Sequence, residues 1–495
     1  MSADLQVEES HMTSIDVAPT TTSAPLVGHW IGGAEAGSAT GGLFERRSPL
    51  DDELVYRLVR GTAEDVDVAV ASALSAGAMW RAIRPMERGR QLQRIGRLMS
   101  ASIEELCALE AADTGRTVED VRGGIVSAIE FFEYFGGLVN AEHGEVISLG
   151  DDYHVYTRRE PYGVVGVVTP WNGPLNQAAR AVAPALATGN TVVVKPSEFT
   201  SSSTVALARL ATEAGLPDGV LNVVTGTGAV AGEALVNHAG VSLIAFTGSV
   251  VTGRAIGRAA SDRVVPVILE LGGKSANIVF ADADLEAAVA SAVRAFTYNA
   301  GQICIAGSRI LVEKEVAEEF TRLLLNEVAS VRPGESMGPI ITTSQFEKIQ
   351  DYFRIAEADG ALLRAGGRVA TRPGQFIEPT VYSDVTSEMR IYREEVFGPV
   401  ACIVPFSGED EAVRMANDSA YGLVAGMWTS NLQRAHRMAG RLEVGQVLVN
   451  EFLGEHVEVP FGGQKSSGLG REKGMSALRH YTQEKSVVMR IAAGQ

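Results

Sequence analysis

The chain has 495 residues, 46% hydrophobic and 21% charged, which suits a globular protein too long for one hydrophobic core and calls for two or three domains. Its 43 basic and 60 acidic residues leave a formal charge of −17, and no basic patch is interleaved with aromatics, which argues against a nucleic-acid partner. Cys107, Cys304 and Cys402 have no paired spacing, which argues against a disulfide framework and a metal site, and no apolar run approaches the roughly 18 residues of a membrane helix, so a cytoplasmic protein is expected.

The first 25 residues are polar and Thr/Ser-rich, without a signal-peptide layout, and read as a disordered tail. A short strand and the turn at Trp30-Ile-Gly-Gly precede helices expected at 63–82, 86–112 and 117–139. The third carries Phe131, Phe132, Tyr134 and Phe135, an aromatic cluster that reads as core. Residues 146–162 alternate as a β-hairpin does, and Ser486-Val-Val-Met489 is placed as a terminal strand that pairs with it, in the same or another subunit.

Between them the pattern becomes strand, helix, strand. Apolar strands at 163–170, 191–195, 220–224 and 241–246 are separated by helices at 175–187, 201–214 and 229–238, which predicts βαβ units and a parallel sheet. The alternation restarts near residue 270, with strands at 277–280 and 309–313 and helices at 284–295, 315–330 and 343–359. A domain boundary is placed there.

Ligands of parallel sheets collect at the carboxyl ends of the strands. Those ends carry Pro170-Trp-Asn172, Lys195-Pro-Ser-Glu198, Thr225-Gly-Thr-Gly228 and Phe246-Thr-Gly-Ser249. The last runs through a glycine turn into a helix, whose first N–H groups suit phosphate oxygens, with Ser249 beside them. Lys195 and Glu198 suit the hydroxyls of a ribose, and a carboxylate there repels a 2′-phosphate, which favours NAD over NADP; an ordinary solvated pair is the bland alternative. Cys304 sits among glycines and small residues, where backbone approaches a ligand closely, and is either a nucleophile or a small buried hydrophobe. A thiol of ordinary acidity needs an activating group. Glu270, at a strand end in an apolar setting, is the candidate general base, and Asn172 the candidate oxyanion donor with the Cys304 N–H.

Pro170-Trp-Asn172, Lys195-Pro-Ser-Glu198, Phe246-Thr-Gly-Ser249, Glu270-Leu-Gly-Gly-Lys274, Gly301-Gln-Ile-Cys304, Glu395-Val-Phe-Gly-Pro399 and Pro460-Phe-Gly-Gly463 together resemble the NAD(P)-dependent aldehyde dehydrogenase superfamily, in its order over nearly the whole chain. The resemblance implies an α/β fold with a Rossmann-type cofactor domain (26–145 and 163–269), an α/β catalytic domain (270–478) and a small β oligomerisation flap (146–162 and 479–495). Catalytic roles are implied for Cys304, Glu270, Asn172 and Lys195. Contacts to the dinucleotide are implied for Thr169, Pro170, Trp171, Lys195, Ser197, Glu198 and Gly228, for Phe246, Thr247, Gly248 and Ser249, and for Leu271, Glu395 and Phe397. The implied reaction is attack of the Cys304 thiolate on an aldehyde, hydride transfer to NAD, and hydrolysis of the thioester by water that Glu270 activates. The implied assembly is a homodimer or homotetramer.

Departures from the family pattern bear on the substrate channel, expected from Gly173, Asn176, Arg180, Ile303, Ile305 and Glu455. Gly173 stands where many relatives carry a bulky aromatic. Asn172, Asn176 and Arg180 share a face if their run is helical, and Arg180 either anchors the carboxylate of a semialdehyde or pairs structurally, Glu455 being the candidate partner at the channel mouth. A cofactor-free thiol hydrolase on Cys304 and Glu270 leaves Lys195, Glu198 and the Phe246–Gly253 turn without a purpose. A non-catalytic relative would be expected to lack the cysteine or the base.

Overall fold

The computed structural model describes residues 24–38, 40–454 and 456–491; most of the expected tail lies outside them, as does Glu455. Eight described strands form the first sheet, in the order Gly468–Leu469, Val267–Glu270, Val241–Thr247, Val164–Val168, Thr191–Lys195, Leu221–Val223, His29–Ile31 and Ala34–Ala36. The five central strands are mutually parallel, because a helix connects each to the next along the chain and carries it back across a face. They are apolar on both faces, as burial under helices requires: every residue of Val164–Val168 and Thr191–Lys195 is buried. The strand order reverses between Val164–Val168 and Val241–Thr247, so a crevice opens beyond their carboxyl ends.

The second sheet runs Leu362–Ala365, Thr380–Ser383, Val400–Phe406, Arg309–Glu313, Ala276–Val279, Val424–Trp428 and Gln446–Val449, parallel except for its first strand. Val267–Glu270 is in the first sheet and Ala276–Val279 in the second, so the chain crosses between them at Leu271–Ser275. It also returns: Gly468–Leu469 pairs antiparallel with Leu269–Glu270, and Ala477, Leu478 and Tyr481 join the first core. The expected edge at 478 therefore falls inside the helix Ser476–His480.

The helix expected at 86–112 is two, Pro85–Ala101 and Ile103–Thr114, because Ser102 leaves helical geometry and serves as the cap of both. In the helix Val118–Gly137, Phe131, Phe132 and Phe135 are fully buried in the first core, with Tyr134 packed against it. The hairpin and the terminal strand pair within this chain: Thr482–Arg490 lies antiparallel on Tyr153–Pro161 along its full length, with Val146–Ile147 on the other side. Among the described residues no helix is long and apolar enough to cross a membrane, and no group of His, Cys, Asp and Glu has the arrangement to hold a metal ion.

Candidate active site

Cys304 lies in the loop before the strand Arg309–Glu313, at the end of the second sheet that faces the crevice of the first. The approach is made by the 3₁₀ turn Tyr298–Gly301, in which Asn299 (φ 50°) and Ala300 (φ 51°) are left-handed and buried. Each non-glycine residue held there costs about 1–3 kcal/mol, so surrounding bonds must enforce the turn. Gln302 supplies them: its Nε2 donates to the Asn299 carbonyl at 2.9 Å and the Pro339 carbonyl at 3.0 Å, and its Oε1 accepts from the Ile341 N–H at 2.9 Å. Gly301 (φ 71°) passes so close to the Gly398 carbonyl that a Cβ would sit 2.0 Å from its oxygen.

Asn172 follows the strand Val164–Val168 and precedes the helix Pro174–Ala187. Its Nδ2 donates to the Gln302 carbonyl at 2.9 Å, and its own carbonyl accepts from Asn299 Nδ2 at 2.8 Å. The second Nδ2 hydrogen is left for an oxygen beside the sulfur. Glu270 ends the strand Val267–Glu270, is 3% exposed, and has neither carboxylate oxygen hydrogen-bonded to a described group. Burial first, and then the charge of Glu472, push its pKa well above the ordinary carboxylate value, while Arg180 pulls it down. The glycine of the Pro460-Phe-Gly-Gly run is explained here: Gly462 (φ 153°) would place a Cβ 2.8 Å from the Glu270 Oε1.

Cys304, Asn172 and Glu270 line one inner cavity of about 200 Å³, together with Leu271, Glu395 and Phe397. Phe397 is left-handed (φ 58°), held by Gln345 Nε2 donating to its carbonyl at 2.9 Å, and its ring stands edge-on to Trp171 with centroids 5.5 Å apart. Glu395 accepts from the Gly273 N–H at 3.0 Å, and burial pushes its pKa up to about 7.

On one side this cavity shares Pro170, Trp171, Thr247, Gly248 and Ser249 with a cleft of about 720 Å³ at the sheet crevice, lined also by Thr169, Lys195, Ser197, Glu198, Gly228 and Phe246. Ser249 caps the helix Val250–Asp262, accepting from the Thr252 N–H. Lys195 Nζ lies 3.3 Å from Glu198 Oε2, and its pKa is lowered by burial against the pull of that carboxylate. The cleft fits a dinucleotide in chemistry as well as size: the buried Thr169 Oγ1 has no hydrogen-bond partner among the described residues, and its wall carries both a capped helix start and a cation–carboxylate pair.

On the other side the inner cavity shares Asn172, Gln177 and Cys304 with an outer channel of about 340 Å³. Gly173, Asn176, Arg180 and Ile303 line it as expected, but Ile305 does not: it is 3% exposed in the core with Ala295, Leu448 and Phe452, because the turn at 303–305 sends the two isoleucines apart. Arg180 is ion-paired with Glu472, both side chains almost wholly buried, and donates to Thr247 Oγ1 at 3.2 Å. Among the described residues the carboxylate paired with Arg180 is Glu472; Glu455, the candidate from the sequence, lies outside them. Arg116, Arg294, Tyr298 and Phe461 also line the channel; Phe461 belongs to the Pro460-Phe-Gly-Gly463 motif without having been placed in the channel, and the two arginines carried no recognisable signal.

A doubly wound sheet with a dinucleotide-sized cleft, opening through a shared wall onto a thiol, an amide and a buried carboxyl, has the layout of a nicotinamide-dependent oxidoreductase. The profile of the aldehyde dehydrogenase family matches residues 36–487, and the chain belongs to that family of NAD(P)-dependent oxidoreductases. It is 42% identical to a betaine aldehyde dehydrogenase of Brucella canis over 478 residues, covering 94% of this chain and 98% of the relative. Among solved structures it is similar to the NAD+ complex of an aldehyde dehydrogenase from Bacillus cereus (39% identity, TM-score 0.92, 94% of this chain and 96% of that one). It is likewise similar to a Staphylococcus aureus betaine aldehyde dehydrogenase with NAD+ (36% identity, TM-score 0.92, 94% and 95%).

Proposed function

We propose that this protein oxidises an aldehyde to its carboxylic acid with NAD, through a covalent intermediate on Cys304. The reading is carried by one observation: a half-buried thiol, an amide with a spare N–H and a carboxyl without a bonded partner line the same inner cavity, between an entry channel and a dinucleotide-sized cleft.

The aldehyde enters along the channel and its carbonyl carbon meets the Cys304 sulfur. Charge that develops on the oxygen is held by the Asn172 Nδ2–H and the Cys304 N–H, a pair whose loss of one member typically costs about 2.7–4 kcal/mol of transition-state stabilisation. A nicotinamide held beside Glu395, Phe397 and Trp171 would supply the hydride acceptor for the substrate carbon. Glu395, Phe397 and Trp171 hold that end of the cleft in shape. The acyl group is then a thioester on Cys304, and Glu270, deprotonated, takes a proton from water, whose oxygen attacks the acyl carbon. The acid leaves and the Cys304 thiolate is restored. Lys195 and Glu198 bind the adenosine ribose, and the Glu198 carboxylate disfavours a 2′-phosphate, so NAD is the dinucleotide and NADP the weaker one.

The substrate is one whose far end fills a mixed polar and apolar channel, with Gly173 leaving room beside the oxyanion site. A semialdehyde anchored on Arg180 is the second reading, and the commitment of Arg180 to Glu472 counts against it. Exposed Val488 and Met489 on the terminal strand suit a homodimer or homotetramer built on the flap, and the three free cysteines suit the cytoplasm.

The test is reduced-nicotinamide formation by the purified protein with NAD, using a neutral aromatic aldehyde, a neutral aliphatic aldehyde and succinic semialdehyde. Turnover of the neutral aldehydes is expected; no turnover with any of the three overturns the reading.

A further inference from the structure

Asn172 and Cys304 come from different sheets, and the groups that tie their two elements together lie partly behind the cavity walls. Glu110, fully buried at the end of the helix Ile103–Thr114, accepts through Oε2 from the Leu175 N–H at 3.1 Å and from the Ser203 hydroxyl at 3.3 Å. Leu175 is in the first turn of the helix that begins just after Asn172, where a carboxylate also complements the helix dipole. The Glu110 Oε1 faces the Arg116 guanidinium at 3.4 Å. Arg116 in turn donates to the Tyr298 hydroxyl at 3.1 Å and the Asp120 carbonyl at 3.0 Å. Tyr298 opens the turn whose next residue, Asn299, bonds the Asn172 carbonyl and which runs on to Cys304.

A cap for one helix would not need this extent. A neutral side chain would satisfy the Leu175 N–H, whereas a buried charge pair whose cation reaches on to the nucleophile turn joins two elements that are also bonded through Asn299 and Gln302. We propose that Glu110 and Arg116 are a positioning pair that holds the start of the Asn172 helix against the Cys304 turn, and so fixes the spacing between oxyanion donor and nucleophile. The inference rests on the proposed role of Asn172. Glu110 touches neither substrate nor dinucleotide cavity; it acts through the two elements it ties.

A double-mutant cycle separates positioning from general structural support. Glu110→Gln is expected to lower kcat about tenfold or more with KM nearly unchanged, since small misplacements of reacting groups cost up to about 100-fold. In the Asn172→Ala background, where the donor is already gone, the same change is expected to lower kcat by less than about twofold. Tyr298→Phe, which removes only the hydroxyl that accepts from Arg116, gives a second cycle without altering a buried charge, and the same non-additivity is expected. An equal fold-loss in both backgrounds, or no loss in wild type, overturns the positioning role while leaving the proposed function standing. If Asn172→Ala itself lowers kcat less than about tenfold, the oxyanion reading falls, and this inference with it.

Discussion

Arg180 and Glu472 meet as a buried ion pair at the back of the site, beside the carboxyl of Glu270. The guanidinium is held from the other side by Thr247 and lies over the Phe461 ring, 5.4 Å from its centroid, so its charge is engaged before any substrate arrives. Breaking such a pair from one side strands a buried charge at a cost of about 3–5 kcal/mol. Arg180→Ala is therefore expected to lower unfolding stability by about that amount, measured by urea denaturation, and to shift KM equally for succinic semialdehyde and a neutral aldehyde. A selective rise in KM for the semialdehyde would make Arg180 a substrate anchor instead.

Glu270 sets a pH dependence with two opposite signs. Its folded pKa is raised by burial and by Glu472. The unfolded value is about 4.3, so between the two the folded state holds a proton the unfolded chain has released. Its contribution to stability is present below the unfolded pKa and is lost as pH rises through the folded one. Activity runs the other way, because only the deprotonated carboxyl takes a proton from water, so deacylation should rise with pH across the same interval. Glu270→Gln should abolish that limb of the kcat profile and remove the matching loss of Tm at high pH. A limb that survives the substitution belongs to another group.

Glu395 should control dinucleotide affinity. Burial pushes its pKa up to about 7, so its charge changes around neutral pH. If the carboxylate accepts from a ribose hydroxyl, Kd for NAD, followed by isothermal titration calorimetry, should fall as pH rises through that range. Glu395→Gln should flatten the dependence, since an amide does not titrate.

What was legible in the chain is what short-range pattern carries. The alternation of apolar strands with helices gave the parallel sheet, and strand ends rich in Gly, Pro and Asn located the crevice. Cys304, Glu270 and Asn172 were recognisable because each sits in a local context odd for a core residue. The strands Val400–Phe406 and Val424–Trp428 went unread, since their apolar runs lie beside Gly and Pro signals that suggest loops. Glu472 was invisible as the partner of Arg180, because an ion pair between distant segments leaves no spacing to read. Ile305 was misplaced for a related reason: a one-residue turn decides which of two isoleucines faces the channel. The bonds of Gln302 to Pro339 and Ile341 belong to the same class.

The covalent step is the centre of the account, and intact-protein and peptide mass spectrometry of Glu270→Ala tests it most directly. Incubated with NAD and a neutral aldehyde, this variant should form about one equivalent of reduced nicotinamide per subunit and then stall. The peptide containing Cys304 should gain the mass of the acyl group, lost on treatment with hydroxylamine. Sustained turnover with Cys304 unmodified, or an acyl group on any other residue, would contradict a thioester on Cys304 that is cleared by Glu270.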